Sequence, residues 1–280
     1  EFSATYRNRD HAFKYDISAN VSTLKNKVTS LGIGKDSYIA GAYATYVGQE
    51  IGQFYGWVYE GIARTQDELD GHATQQGANV GDCLYKDISG PNGEPDGVID
   101  AYDQTVLGSG LPKVNFGLST HMEYKGFDLN ISTYGVLNYH VSDDIYNSLN
   151  SCYGYGNKEV GMLDANRWSE DGSTYLSSVP RTYAANNATL AWNDLFSSRK
   201  IQNAAYWKIA NVELGYNFPD KWFGGYVSGV RLYVSAQNLY TFTGYHGYNV
   251  DYAGGTFTPG YNFCSFPSAR TFMAGLHFTF

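Results

Sequence analysis

Apolar and polar residues alternate along several segments of this chain. The clearest segment is Val114–Tyr124, and the alternation resumes at Phe127 after Lys125-Gly126. Because successive side chains of a strand point to opposite faces, this period of two predicts two half-buried strands joined by a very short turn. The same pattern predicts strands at Val230–Gln237, Tyr206–Phe218, Thr271–Phe280, Phe2–Asn8 and Ala12–Leu24. The alternation is less clean in Tyr206–Phe218 than in the other segments.

The connections between the predicted strands alternate between short and long. The short ones are about Arg9–His11, Lys125-Gly126 and Pro219–Ser228, and the long ones are about Lys25–Pro112, Tyr139–Ala205 and Phe242–Ala269. Short turns at one end of a sheet and long loops at the other are typical of outer-membrane barrels. The strands of a water-soluble sandwich also alternate apolar and polar residues, but a sandwich rarely has all its long loops at one end. The pattern therefore predicts an all-β chain that belongs to a transmembrane antiparallel β-barrel with long extracellular loops.

The number of predicted strands indicates part of a larger barrel. Bacterial outer-membrane barrels close with an even number of strands, roughly eight or more, whereas the pattern here predicts seven. The chain also begins at Glu1 rather than Met, within a strand pattern. We therefore expect that the remaining strands belong to a longer protein.

Composition and motifs argue against several other classes. The net charge of −8, from 19 basic and 27 acidic residues, leaves no basic surface for nucleic acid. The 16% aromatic content and 32 glycines argue against a helical bundle. No apolar run reaches the roughly 18 to 20 residues of a transmembrane helix. The sequence contains no GxSxG, HExxH or phosphate-binding loop, so we do not expect an enzyme.

A series of short motifs points to one protein family. The motifs are Gly52–Ile62 (GQFYGWVYEGI), Gly81-Asp82, Tyr85–Asp87, Asp96–Asp100 with Asp103, Lys125–Leu129, Arg167-Trp168, Pro180-Arg181, Tyr206–Tyr216 and Ala236–Tyr240. In this order and spacing they resemble the SusC/RagA-type TonB-dependent outer-membrane transporters of Bacteroidetes. The resemblance extends from Gly52 to the terminal Phe280.

The resemblance implies a fold, a location and a set of partners. It implies a barrel of about 22 strands around an N-terminal plug, with residues 1–280 as the C-terminal part of the barrel and the plug outside this chain. It further implies import of oligosaccharides or peptides across the outer membrane, a SusD-like lipoprotein as the lid, and TonB acting through the plug. Neither substrate class follows from these residues. A passive outer-membrane channel and a soluble β-rich surface glycan-binding module are the alternatives.

An acidic segment within the first long connection has the spacing of a calcium-binding loop. Positions one, three, five, seven, nine and twelve fall on Asn92, Glu94, Asp96, Val98, Asp100 and Asp103, with Gly97 at the sharp turn. Hard cations need several oxygens at one point, so this spacing predicts a Ca²⁺ or Mg²⁺ site. Asn92 and Asp103 depart from the usual ligands, and no flanking helix pair is predicted. The alternative is an acidic turn without a cation.

Aromatic side chains are frequent in the predicted long loops. Those expected to contact substrate or the lid protein are Trp57, Tyr59, Tyr153, Tyr155, Trp168, Tyr245 and Tyr248, because aromatic rings beside short polar groups suit sugar or peptide binding. Packing within the loops is the alternative for each. Aromatic residues at strand ends are predicted to form interfacial belts, namely Tyr124, Tyr206, Trp207, Trp222 and Tyr240.

The three cysteines form no metal-binding or disulfide framework. Cys83, Cys152 and Cys264 are far apart in the sequence and contain no CxxC pair. Free thiols are expected, and a loop disulfide between Cys152 and Cys264 is the alternative.

Overall fold

The structure is a computed structural model that describes residues 1–32, 34–152, 156–160, 167–169, 177–182, 192–223, 227–251, 254–263 and 265–280. Its strands and α-helices are β1 Phe2–Asn8, β2 Phe13–Thr23, β3 Ser37–Ala40, β4 Tyr43–Tyr46, β5 Gln53–Gly56, β6 Tyr59–Ile62, α1 Gln66–Asp70, β7 Cys83–Tyr85, β8 Thr105–Ser109, β9 Val114–Tyr124, β10 Phe127–Leu137, β11 His140–Asp143, α2 Asp144–Leu149, β12 Gln202–Asn203, β13 Tyr206–Phe218, β14 Gly229–Thr243, β15 Gly254–Gly255, β16 Thr258–Pro259, β17 Tyr261–Asn262 and β18 Thr271–Thr279. Short 3₁₀ turns lie at Ala101–Asp103, Trp192–Asp194, Ser198–Lys200 and Asp220–Phe223.

Seven long strands form one antiparallel sheet, in the order β1-β2-β9-β10-β13-β14-β18. These are the seven strands that the alternation predicts. The register is continuous in four of the six strand pairs and shifts in the two that involve β13. The sheet is open, with β1 and β18 at its edges. Among the described residues, no helix is long and apolar enough to span a membrane.

The two faces of this sheet differ as the alternation predicts. One face exposes large apolar side chains on every strand, including Tyr6, Ile17, Leu118, Leu214, Val234 and Phe272. An apolar surface this extensive, on a sheet of long strands, needs a covering medium other than water. The opposite face, called the polar face below, carries amides, hydroxyls and ion pairs.

The hairpin between β9 and β10 turns within two residues. Lys125 and Gly126 both have positive φ values, 49° and 87°. This left-handed pair matches the twist of the flanking strands, which is why such turns favour glycine.

A β-bulge interrupts the alternation of β13. Successive residues of β10 pair with Ile209 and Asn211, so Ala210 is an extra residue in the ladder. The register between β13 and β14 also shifts here, beside Asn238, which has a φ of 50°. An extra residue reverses which side chains of a strand face inwards.

The bulge corrects one prediction from the sequence. Tyr206, predicted to lie in an interfacial belt, is instead buried on the polar face beside Tyr134. Trp207 takes the apolar face, where its ring stacks on Phe242 with the centroids 5.2 Å apart. The other predicted belt residues, Tyr124, Trp222 and Tyr240, are exposed.

Three long connections lie between strands of the sheet at the end opposite its short turns. We call them loop A (residues 24–113), loop B (138–205) and loop C (244–270), and together the loop assembly. They pair with one another directly: Ser142 and Asp143 of loop B form a parallel ladder with loop C, and Trp57 of loop A bridges Ser197 of loop B. Two apolar clusters are buried within the assembly, one around Tyr85 and Ile99 and one around Tyr139 and Val141, and the second also includes Val136 and Tyr206 of the sheet.

Candidate functional site

Loops A and B are joined by a buried ion pair. The guanidinium of Arg181 donates from Nε and Nη2 to the two carboxylate oxygens of Asp82, at 2.7 and 2.9 Å. The side-chain amide of Asn193 also donates to Asp82, at 2.8 Å. The Asp82 side chain is only 5% exposed, so its charge depends on these donors. Both Gly81-Asp82 and Pro180-Arg181 belong to the motifs that carry the family resemblance.

A buried thiol lies next to this ion pair. The backbone N–H of Cys83 donates to Asn193 Oδ1 at 2.7 Å, and the Tyr85 hydroxyl donates to the Trp192 carbonyl. Burial raises the pKa of the Cys83 thiol to about 12 and that of Cys152 to about 11. Both are free thiols, and the raised pKa keeps them protonated and unreactive. Cys264 lies outside the described residues, and so does the alternative, a disulfide between Cys264 and Cys152.

Loops B and C are joined by a second buried polar group. The Tyr245 hydroxyl donates to Asp143 Oδ2, and the Asn262 amide donates to the same carboxylate at 3.2 Å. Asn262 also donates to the Tyr245 oxygen, at 2.8 Å. Burial raises the pKa of Tyr245, so this phenol remains a donor at neutral pH.

The aromatic residues predicted to contact a ligand fall into three groups. Trp168 packs against Gly81 and, like Tyr245, is buried within the loop assembly. Trp57 and Tyr59 are half-buried against the Tyr85 cluster, and the Trp57 indole donates to the Asp100 carbonyl at 3.0 Å. Tyr248 is 69% exposed. Tyr153 and Tyr155 lie outside the described residues. Ligand contact by these residues stays a prediction, and Tyr248 is the most accessible of the five that the structure describes.

In the acidic loop, the carboxylates bind backbone N–H groups. Asp103 is fully buried, and its oxygens accept from Ile88, Ser89 and Asp100 at 2.7, 3.1 and 2.8 Å. Asp87 accepts from Gly97 at 2.7 Å.

The remaining acidic ligand positions follow the same pattern. Asp96 accepts from Val98 at 3.0 Å and Asp100 from Tyr102 at 2.7 Å, while Asn92 and Glu94 are exposed. Within the described part of the chain, no three His, Cys, Asp or Glu side chains converge on one point. Because backbone N–H groups already bind these carboxylates, we expect the alternative, an acidic turn without a cation, rather than a metal site.

A melting experiment on the full-length protein tests this turn. Because protein N–H groups already satisfy Asp103, we expect the same melting temperature with calcium and with a chelator. Asp103→Asn should lower stability by about 1–3 kcal/mol in both conditions, since it leaves a buried donor facing N–H groups. A calcium-dependent rise in the wild type that Glu94→Gln abolishes would instead establish the metal site.

The polar face of the sheet carries a row of adjoining cavities beneath the loop assembly, which we call the trough. One cavity of about 500 Å³ lies over β2, β9 and β10, from Asn20 to Tyr134. A second, of about 170 Å³, shares Tyr206 with the first. A third, of about 230 Å³, shares Asp251 with the second and ends at Ser268.

The centre of the trough holds a buried lysine that sequence reasoning missed. Lys208 is 3% exposed, and its ammonium lies 2.5 Å from Asp251 Oδ2 of loop C. The ring of Tyr134 is 5.9 Å from the same ammonium, and its hydroxyl donates to Asp251 Oδ1 at 3.2 Å. A signal was present in the sequence. Strict alternation assigns Lys208 to the apolar face, and a charged residue there indicates a bulge.

Comparison with known proteins identifies relatives of the chain. No family model matches the chain. TonB-dependent receptor P3 of Formosa agariphila is 30% identical over 299 residues, which cover all of this chain and 28% of that protein. TonB-dependent receptor SusC of Bacteroides thetaiotaomicron is 25% identical over 280 residues, covering 96% of this chain and 24% of SusC. The chain is a homologue of the SusC-type TonB-dependent receptors.

The fold agrees with this relationship. The structure of the RagAB peptide transporter matches 98% of this chain with a TM-score of 0.77 at 20% identity. The match covers 28% of that transporter chain. The chain thus spans about a quarter of the length of its relatives, and the open seven-stranded sheet corresponds to part of a barrel wall.

Proposed function

We propose that this chain forms part of the barrel wall and the extracellular loops of an active nutrient importer in the bacterial outer membrane. The observation that carries the proposal is homology to TonB-dependent receptors along the whole chain. The apolar face of the sheet would contact lipid, and the trough would line the lumen. Residues 1–280 would be the C-terminal part of that barrel.

The loop assembly suits a surface that receives substrate. Its loops are cross-linked by the Asp82–Arg181 pair and the Asp143–Tyr245 contact. A rigid scaffold of this kind positions binding groups at a lumen entrance. RagAB, one of the structural relatives, is a peptide transporter. We propose that the present protein takes up oligosaccharides or peptides, that a SusD-like lipoprotein covers the loops, and that TonB supplies the energy.

Uptake by living cells tests the function. We expect that deleting the gene abolishes growth on the nutrient that the protein imports, when glycans and protein digests are supplied in turn as the carbon source. Full-length protein should restore growth only while TonB is present, because an active importer depends on that energy. Uptake that continues without TonB would identify a passive channel. Recovery of the full-length protein in the soluble fraction without detergent would identify a surface binding module.

A further inference from the structure

One segment of loop C crosses the trough and is fastened at both ends. We call residues 245–251 the strap. At its start the Tyr245 hydroxyl donates to Asp143 of loop B, and at its end Asp251 pairs with Lys208 of the barrel wall. Tyr248 lies between them and is exposed, while Val250 is buried over the trough. At this end the Asp251 carboxylate thus joins the strap to the sheet.

The groups that hold this carboxylate belong to the wall. The Lys208 ammonium binds Oδ2, and the Tyr134 hydroxyl donates to Oδ1. The ring of Tyr206 packs beside that of Tyr134, with the ring centroids 6.0 Å apart, and lines the same cavity as Asp251. A cation and a phenol donor that converge on one carboxylate form an anion-binding arrangement. Within the described part of the chain, Asp251 is the acidic partner of Lys208.

The backbone of the wall is distorted so as to place this lysine. The extra residue Ala210 turns Lys208 towards the trough, and Asn238 on the neighbouring strand has the unusual φ of 50°. Bulges recur where a strand re-aims a side chain next to a functional site, and a non-glycine residue at positive φ is uncommon. Cavities of about 500 and 230 Å³ lie on either side, with room for the rest of a ligand.

We propose that Lys208 and Tyr134, beside Tyr206, form an anion subsite on the lumen wall, which Asp251 occupies in this structure and a ligand carboxylate or sulfate group occupies when the strap moves. The inference rests on the proposed import function and specifies the ligand: it carries an acidic group. A neutral ligand gains nothing from replacing Asp251, because it offers the lysine no charge. Acidic sugars and acidic peptides share this chemistry.

Binding to the purified full-length transporter tests the subsite. The probes are trigalacturonate and its neutral counterpart maltotriose, and triglutamate and its neutral counterpart triglutamine, measured by calorimetry at low ionic strength. We expect the wild type to bind one acidic probe more tightly than its neutral counterpart, and the pair concerned identifies the source. Asp251→Asn removes the internal competitor and should tighten binding of that probe by about tenfold. The double variant K208M/D251N should abolish the preference.

Two further variants keep the test decisive. Asp251→Glu retains a carboxylate and should bind the acidic probe with the affinity of the wild type. This variant separates the effect of removing the charge from an effect of misfolding. Asp128→Asn removes the same charge from the polar face, where Asp128 pairs with Arg231 at 3.0 Å instead of Lys208. If Asp128→Asn tightens binding of the acidic probe as much as Asp251→Asn does, the proposal is overturned. It is also overturned if the wild type binds acidic and neutral probes with equal affinity. Because binding is measured without TonB, failure of import and failure of the subsite give different results.

Discussion

Replacing Gly260 with alanine is expected to open the loop assembly. Gly260 has a φ of 74°, and an added Cβ would lie 2.5 Å from the His140 carbonyl oxygen and 2.7 Å from Gly110 Cα. Both neighbours are backbone atoms, so neither can move aside cheaply. Left-handed strain costs about 1–2 kcal/mol and overpacking about 1–3 kcal/mol, so we expect a loss of roughly 3 kcal/mol.

This effect arises at the junction of all three loops. Gly110 belongs to loop A, His140 to loop B and Gly260 to loop C, and the N–H of Ser142 donates to the Gly260 carbonyl at 2.9 Å. Hydrogen–deuterium exchange of peptides containing Ser142 in the full-length protein should therefore become about 100-fold faster.

Two other glycines provide matched controls. Gly97 has a φ of 83° with open space around its Cβ position, so Gly97→Ala reports the cost of backbone strain alone. Gly244 in loop C has neither positive φ nor close neighbours, so Gly244→Ala should be neutral. If peptides containing Ser142 exchange no faster in the Gly260→Ala variant than in the Gly97→Ala variant, the close packing at the junction does not stabilise the loops.

The second large effect is expected from Asp82→Asn. The substitution leaves the Arg181 guanidinium without its counterion and turns an amide donor towards the Asn193 amide. Removing one partner of a buried pair costs about 3–5 kcal/mol, and the one-third exposure of Arg181 reduces this to roughly 2–3 kcal/mol. The measurement is hydrogen exchange in Cys83–Tyr85, the strand that follows the ion pair.

An exposed carboxylate in the same loop serves as the control for Asp82. Asp70 in α1 accepts from Gln66 at 2.7 Å but is exposed, so Asp70→Asn should change stability by about 0.5 kcal/mol or less. The double variant D82N/R181M removes both charges and should recover part of the loss. Equal exchange in D82N and D70N would mean that the ion pair does not hold loops A and B together.

The candidate site could be predicted from the sequence only in part. The motifs Gly81-Asp82 and Pro180-Arg181 were recognisable, but nothing local shows that residues about 100 positions apart form one ion pair. Tyr248, Trp168 and Tyr245 are all aromatic loop residues predicted to contact a ligand. Tyr248 is exposed, whereas Trp168 and Tyr245 are buried. Composition identifies aromatic loops, but burial depends on which loops meet.

The sequence by itself determined the seven strands, the apolar and polar faces of most of them, and the contrast between short and long connections. These follow from alternation, a property that each strand carries within about ten residues. Only the tertiary structure decided which side chains of β13 lie on the polar face of the sheet near the loops. Ala210 becomes an extra residue only against the register of β10. That pairing turns Lys208 from the apolar face towards Asp251, a contact between distant segments that no local pattern encodes.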